Sequence, residues 1–139
     1  MLIAGAKGYA KEVLQVCALL HALEDLVFFD DINTDIPIKM YDQFPVLREA
    51  EKAMKYFIEV DHRFILGVGG PEARYLLANK MKDLGGSMTS LISPKAHLSS
   101  FNNSISKGVN IMTGALITND VSIEDGCLIN SHSTFGHET

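Results

Sequence analysis

Two glycine-rich turns and a pair of aspartates are the stretches whose residue types and spacing suit ligand chemistry. The first turn, Gly5-Ala6-Lys7-Gly8-Tyr9-Ala10, follows a short apolar strand at Met1 to Ala4 and opens a helix with an apolar stripe of Ala10, Val13, Leu14, Cys17 and Leu20. It matches the pattern G-x-G-x-x-G/A in part: Gly5 comes first and Ala10 last, but Lys7 stands where a second glycine would let the backbone touch a pyrophosphate. A second strand, Leu26 to Phe29, ends in Asp30-Asp31, near the spacing of about 20 residues at which an acidic side chain can bond a ribose hydroxyl. A third strand, Arg63 to Val68, enters Gly69-Gly70-Pro71, and Pro71 suits the first turn of a helix. Free N–H groups at such a helix start attract anions. The plainer alternatives are a solvated turn at the aspartates and an ordinary strand-to-helix connection at the glycines. Two such turns on one sheet edge strengthen the ligand reading.

These side chains must be held by a βαβ arrangement. Residues 32 to 45, with Pro37 and Pro45, read as a loop that could carry a short strand at Ile36-Pro37-Ile38. Leu47, Ala50, Met54 and Phe57 predict a second amphipathic helix, and Ala73, Leu76, Leu77, Met81 and Leu84 a third. Gly85-Gly86 stop that helix, Met88 to Ile92 read as a fourth strand, and Ser93-Pro94 begins a different architecture. From Ile105 a large apolar residue returns every sixth place: Ile105, Ile111, Ile117, Ile123, Ile129, Phe135. Small or β-branched residues follow four places after each: Val109, Ala115, Val121, Cys127, Ser133, Thr139. A period of six fits neither a helix nor a single strand, but it is the spacing of hexapeptide parallel β-helices. One extra residue precedes the regular run. The predicted fold is α/β: a small Rossmann-like parallel-sheet domain over 1–92, then the first coils of a parallel β-helix over 93–139.

With 47% hydrophobic and 21% charged residues the chain can bury a core and is not disordered. No apolar run reaches the roughly 18 residues of a spanning helix, and no signal peptide is visible, so a soluble cytoplasmic protein is expected. A net charge of −5 without a Lys/Arg cluster argues against a nucleic-acid surface. Cys17 and Cys127 lack metal or disulfide spacing and are expected to be buried apolar fillers.

The segment Ile129-Asn130-Ser131-His132-Ser133-Thr134-Phe135-Gly136-His137-Glu138 resembles the His-Glu/His-Asp segment of the NeuD/PglD sugar O- and N-acyltransferases. Gly5-Ala6-Lys7-Gly8-Tyr9-Ala10-Lys11-Glu12 and Phe28-Phe29-Asp30-Asp31 are similar to that family's opening turn and second-strand end. The resemblance implies a left-handed coil and His137 as general base, with Glu138 as its orienting carboxylate. It also implies a nucleotide-sugar pocket built from Gly5, Lys7, Gly8, Tyr9, Asp30, Asp31, Gly67, Gly69 and Arg74. Asn130 would line the acetyl site, and Cys127, facing the interior, would take no part. Neutral imidazole, with an unperturbed pKa near 6.5, suits a base at cytoplasmic pH. Acetyl-CoA is the implied co-substrate, a UDP-amino-sugar the implied acceptor, direct transfer the route, a homotrimer the assembly and polysaccharide biosynthesis the setting, with no metal, nucleic acid or membrane involved. Tyr9 stands where some members have histidine, and Ser93-Pro94-Lys95-Ala96 where many have His-Pro-Ser-Ala. Members carry several further coils, so the chain is expected to be a truncated form lacking most of the acetyl-CoA site. A non-catalytic nucleotide-sugar-binding or oligomerisation module is the alternative. An NAD-dependent oxidoreductase is disfavoured by Lys7 and by the hexads.

Overall fold

The computed structural model describes residues 1–139. Six strands form the first sheet: β1 (Leu2–Ala4), β2 (Val27–Phe29), β3 (Lys39–Met40), β4 (Phe44–Leu47), β5 (Arg63–Leu66) and β6 (Ser87–Met88), in the order β3-β4-β2-β1-β5-β6. All neighbours run parallel except β3 and β4. Chain order reverses at β1, which has β2 on one side and β5 on the other. In open α/β sheets that reversal opens a crevice at the carboxyl ends of the strands.

Three helices, α1 (Gly8–Leu19), α2 (Ala50–Glu59) and α3 (Pro71–Asp83), cover the sheet. Alternate residues of β1 divide the core between its two faces: Ile3 packs with Ala10, Val13 and Cys17 of α1, whereas Leu2 and Ala4 pack with Phe57 of α2 and Ala78 and Met81 of α3. Complete burial of such aliphatic or aromatic side chains contributes about 1.5–3 kcal/mol each.

Several expectations are corrected here. The 32–45 loop contains a real hairpin, β3 with β4, and Pro45 sits within β4 opposite Lys39. Proline cannot donate to a ladder, but β4 receives its parallel partner β2 at Val46 and Leu47, beyond the proline. Leu47 therefore ends a strand instead of starting a helix, and α2 buries Ala53, Tyr56 and Phe57 while Met54 is exposed. The α3 stripe is also rotated: Arg74, Ala78 and Met81 are buried, while Ala73 and Leu76 are exposed. α3 has a second neighbour besides the sheet, namely the coil, and that contact claims the Arg74 face.

The rest is a coil of two-residue strands: β7 (Leu91–Ile92), β8 (His97–Leu98), β9 (Ser104–Ile105), β10 (Asn110–Ile111), β11 (Leu116–Ile117), β12 (Ser122–Ile123), β13 (Leu128–Ile129) and β14 (Thr134–Phe135). They stack as three parallel sheets, β13-β10-β7, β14-β11-β8 and β12-β9, which are the three walls of a prism. Ile105 lies over Ile123, Ile111 over Ile129 and Ile117 over Phe135, so partners are three hexads apart. Ile92 with Ile111 and Leu98 with Ile117 are one residue farther apart, which absorbs the extra residue noted above. Val109, Ile111, Ala115, Ile117, Val121, Ile123 and Ile129 fill the interior.

Corners follow the same period. Positive φ occurs at Asn102, Gly108, Gly114, Asp120, Gly126, His132 and Glu138, one in each hexad. The left-handed region is open to glycine and costs Asn, Asp and His less than it costs other residues. Glu138 is the residue in this series least suited to it, with φ +60. Glu138→Gly is expected to stabilise the coil by about 1 kcal/mol, measured by urea unfolding; an unchanged or lower midpoint would contradict corner strain.

Candidate active site

Gly5, with φ +120, closes the first turn against the second: a Cβ at Gly5 would lie 2.7 Å from the Gly67 carbonyl oxygen. Gly67 in turn is packed on Ile3, and its N–H donates to the Ala4 carbonyl at 2.8 Å. Both glycine turns therefore meet backbone to backbone at the crevice. Gly8 and Gly69 have open space where side chains would stand. Neither α1 nor α3 has a side-chain hydrogen bond at its N-cap.

The polar residues around this crevice are each engaged within the chain. Lys7, the N-cap of α1, reaches across to Asp35 at 2.6 Å, and this hydrogen bond holds the Asp35 carboxyl below the usual carboxylate range. Asp30 is buried and caps its own loop, accepting from the Ile32 and Asn33 N–H groups (3.0 and 2.9 Å) and from Asn33 Nδ2 (2.8 Å). Asp31 pairs with Lys80 of α3. Arg48 donates to the Ile36 carbonyl at 3.1 Å and to the Asn33 carbonyl. The 30–38 loop is thus shaped from inside, and Lys7–Asp35 ties it to the glycine turn.

Tyr9 and Arg74 point to the joint between sheet and coil. The Tyr9 hydroxyl accepts from Asn110 Nδ2 at 3.0 Å and sits 3.4 Å from Met112 Sδ, and burial pushes its phenol pKa up. Asn110, fully buried, also donates to the Leu66 carbonyl at 2.8 Å. Arg74 is 5% exposed and donates to the carbonyls of Gly126 (2.9 Å) and Val68 (2.9 Å), with Cys127 O at 3.5 Å. Burial lowers its guanidinium pKa. No carboxylate pairs with it, so an anion entering beside it would gain more than at a surface arginine already neutralised by one.

Between α3 and the coil lies a cleft of about 740 Å³, lined among others by Gly69, Arg74, Tyr75, Lys82, Cys127 and Asn130. This volume lies within the range of about 300–1,000 Å³ common for small-molecule sites. Three of the expected site residues, Gly69, Arg74 and Asn130, meet in it. Gly5, Lys7, Gly8, Asp30 and Asp31 lie along the carboxyl edge instead. His137 and Glu138 are outside the cleft, both 82% exposed, with Nδ1 and Oε2 3.9 Å apart. That distance exceeds a hydrogen bond.

Sequence reasoning overlooked Asn110. It precedes the inward Ile111 and so faces out of the coil, where the sheet edge covers it. An uncharged polar residue at an outward position carries no sign of burial until the neighbouring element is known. Cys127 is also corrected: it is half-buried and lines the cleft instead of lying sealed in the coil. Cys17 is fully buried, and burial pushes its thiol up to about 11. Native protein at pH 8 is therefore expected to take one equivalent of a maleimide, at Cys127, and two after denaturation, read by mass spectrometry. Modification of Cys17 in the native state would contradict this packing.

Residues 1–81 match the family model described as the PglD N-terminal domain. Among solved structures, the acetyltransferase domain of PglB from Neisseria gonorrhoeae superposes with a TM-score of 0.82 at 24% identity, covering 99% of this chain and 64% of that one. A crystal structure of a point mutant of perosamine N-acetyltransferase from Caulobacter crescentus in complex with CoA and GDP-perosamine gives 0.79 at 24%, covering 96% and 60%. WeeI from Acinetobacter baumannii gives 0.82 at 20%, covering 98% and 63%. The chain thus spans less than two thirds of the length of these structures. No curated protein matches its sequence. At these identities the structural likeness establishes the fold, a Rossmann-like sheet leading into a left-handed parallel β-helix, while the match over more than half of the chain establishes kinship: this protein belongs to the PglD N-terminal domain family.

Proposed function

We propose that the chain serves an acetyl-CoA-dependent acetyltransferase acting on a hydroxyl or amine of a nucleotide-linked sugar. The first sheet, which ends at β6, forms with its helices the nucleotide-sugar domain, and the coil, which opens with β7 at Leu91 rather than at residue 93, carries the base. The protein works as a cytoplasmic homotrimer, and a UDP-amino-sugar is the favoured acceptor. The observation that carries this reading is the cleft in which Gly69 and Arg74 of the second glycine loop meet Asn130 of the coil. Solved structures of similar fold bind acetyl coenzyme A, or CoA with GDP-perosamine, which supports both substrate classes.

In this reading the glycine turns and the uncapped starts of α1 and α3 receive the phosphates, Lys7 exchanges Asp35 for a phosphate oxygen, and Asp30-Asp31 border the nucleoside. Arg74 supplies positive charge beside the cleft. Acetyl-CoA brings the activated thioester. His137 Nε2 or Nδ1 takes the proton of the sugar nucleophile as that atom forms its bond to the acetyl carbon, then returns a proton to the departing thiolate. Glu138 stabilises the imidazolium that exists in between.

Titration calorimetry of this chain with UDP- and GDP-amino-sugars, followed by a thiol-release assay with acetyl-CoA on the longest natural form of the chain, tests the proposal. Micromolar binding with sugar-dependent thiol release is expected, and absence of binding to either nucleotide sugar would refute it. A second reading, a nucleotide-sugar-binding or oligomerisation module without turnover, is favoured by the exposure of His137 and its 3.9 Å separation from Glu138. Binding without thiol release would select it.

A further inference from the structure

His137 lacks a hydrogen-bonded partner. Its ring is 82% exposed, and Glu138, the neighbouring carboxylate, stands 3.9 Å from Nδ1 on a corner with φ +60. One coil below, Asn119 has the opposite deficit: its Oδ1 is buried and accepts no hydrogen bond. Pairing of β11 with β14 sets Leu116 beside Thr134 and Ile117 beside Phe135. Two residues farther along the same wall, Asn119 therefore lies under His137, and the corner Asp120 lies under Glu138. Thr118 pins the two coils just before this point, since both its N–H and its Oγ1 hydroxyl donate to the Phe135 carbonyl, at 3.0 and 3.1 Å. Neighbouring coils are separated by about 4.8 Å, a step that rotation of an imidazole about its two side-chain torsions can span.

We propose that Asn119 is the positioning residue for His137: its Oδ1 accepts a ring N–H, fixes the tautomer and turns the other nitrogen toward the acceptor sugar. A buried acceptor without a donor costs about 1–3 kcal/mol, so the contact relieves the cost at Asn119 as it orders the ring. The inference rests on the reading of His137 as base. Glu138 and Asp120 are the charged groups on the same corner column, and Asp120 is already engaged by Asn102 Nδ2 at 2.8 Å. Neither supplies the missing acceptor at hydrogen-bonding distance.

Nitrogen-15 spectra of the imidazoles test this without requiring turnover. Wild-type His137 is expected to hold a single tautomer, and Asn119→Ala to give it the mixed tautomers of the exposed His21. Asn119→Asp, which places a carboxylate at the same spot, is expected to raise the His137 titration midpoint by about one unit. His21 and His62, on the sheet domain, report that both variants remain folded. In acetyl transfer, Asn119→Ala is expected to lower kcat about tenfold and to change KM for the nucleotide sugar less than twofold. A His137 ring with the same tautomer and midpoint in wild type and both variants would overturn the inference. Wild type without acetyl transfer would overturn the functional reading, and the ring spectra would still decide this one.

Discussion

His137→Ala is expected to slow acetyl transfer by about 10²- to 10⁴-fold, the usual worth of a positioned acid–base group, with nucleotide-sugar affinity within twofold of wild type. The separation follows from the architecture. His137 stands 82% exposed beyond β14, whereas the glycine turns and Asp30-Asp31 lie at the carboxyl edge of the first sheet. Loss of the imidazole removes a proton acceptor without altering those surfaces. A fall in affinity equal to the fall in transfer would place His137 in binding rather than proton transfer. Unchanged transfer would remove it from the reaction altogether.

Gly5→Ala is expected to be the most damaging small substitution, costing about 3–5 kcal/mol from left-handed strain and overpacking together. Its φ of +120 is a conformation L side chains avoid, and the added methyl would meet the Gly67 carbonyl oxygen at 2.7 Å and Val68 Cγ1 at 2.9 Å. Gly67→Ala suffers only the second effect: its methyl would press on Ile3 Cγ2 at 2.6 Å, within a β-strand that α1 covers. About 1–3 kcal/mol is expected there. Since whole domains are stable by about 5–15 kcal/mol, the first change threatens folding and the second does not. Urea unfolding of both variants checks the order. Gly5→Ala within 0.5 kcal/mol of wild type would mean that the two turns are not held in contact.

Periodicity made much of this architecture legible in advance. The α1 stripe of Ala10, Val13, Leu14 and Cys17 is buried as expected, because β1 and the start of the coil share one apolar core with it, whereas Leu20, expected in the same stripe, caps the helix and is exposed. The hexads from Ile105 onward pair as their spacing predicts, since every coil repeats the same demand for a large side chain inside. Where a neighbouring element offers hydrogen-bond acceptors, the apolar pattern misleads. α3 turns Arg74 inward, toward carbonyls of the coil, and leaves Leu76 exposed, although hydrophobicity alone ranks them the other way. β4 was hidden by Pro45, whose missing N–H matters less at a strand with an antiparallel partner of only two residues.

Local chemistry by itself determined the glycine turns, the aspartate-ended strand and the repeat, because each depends on residues near one another in the chain. Only the tertiary structure decided which polar groups are spent. Tyr9 is taken by Asn110, Lys7 by Asp35, Asp31 by Lys80 and Arg74 by carbonyls more than fifty residues away. Such pairings depend on how the sheet seats against the coil, and burial there sets the strength of each hydrogen bond and the cost of leaving one unmade. The orphaned acceptor on Asn110 arises from the same packing, and that on Asn119 from the stacking of one coil on the next; no spacing of residues along the chain encodes either.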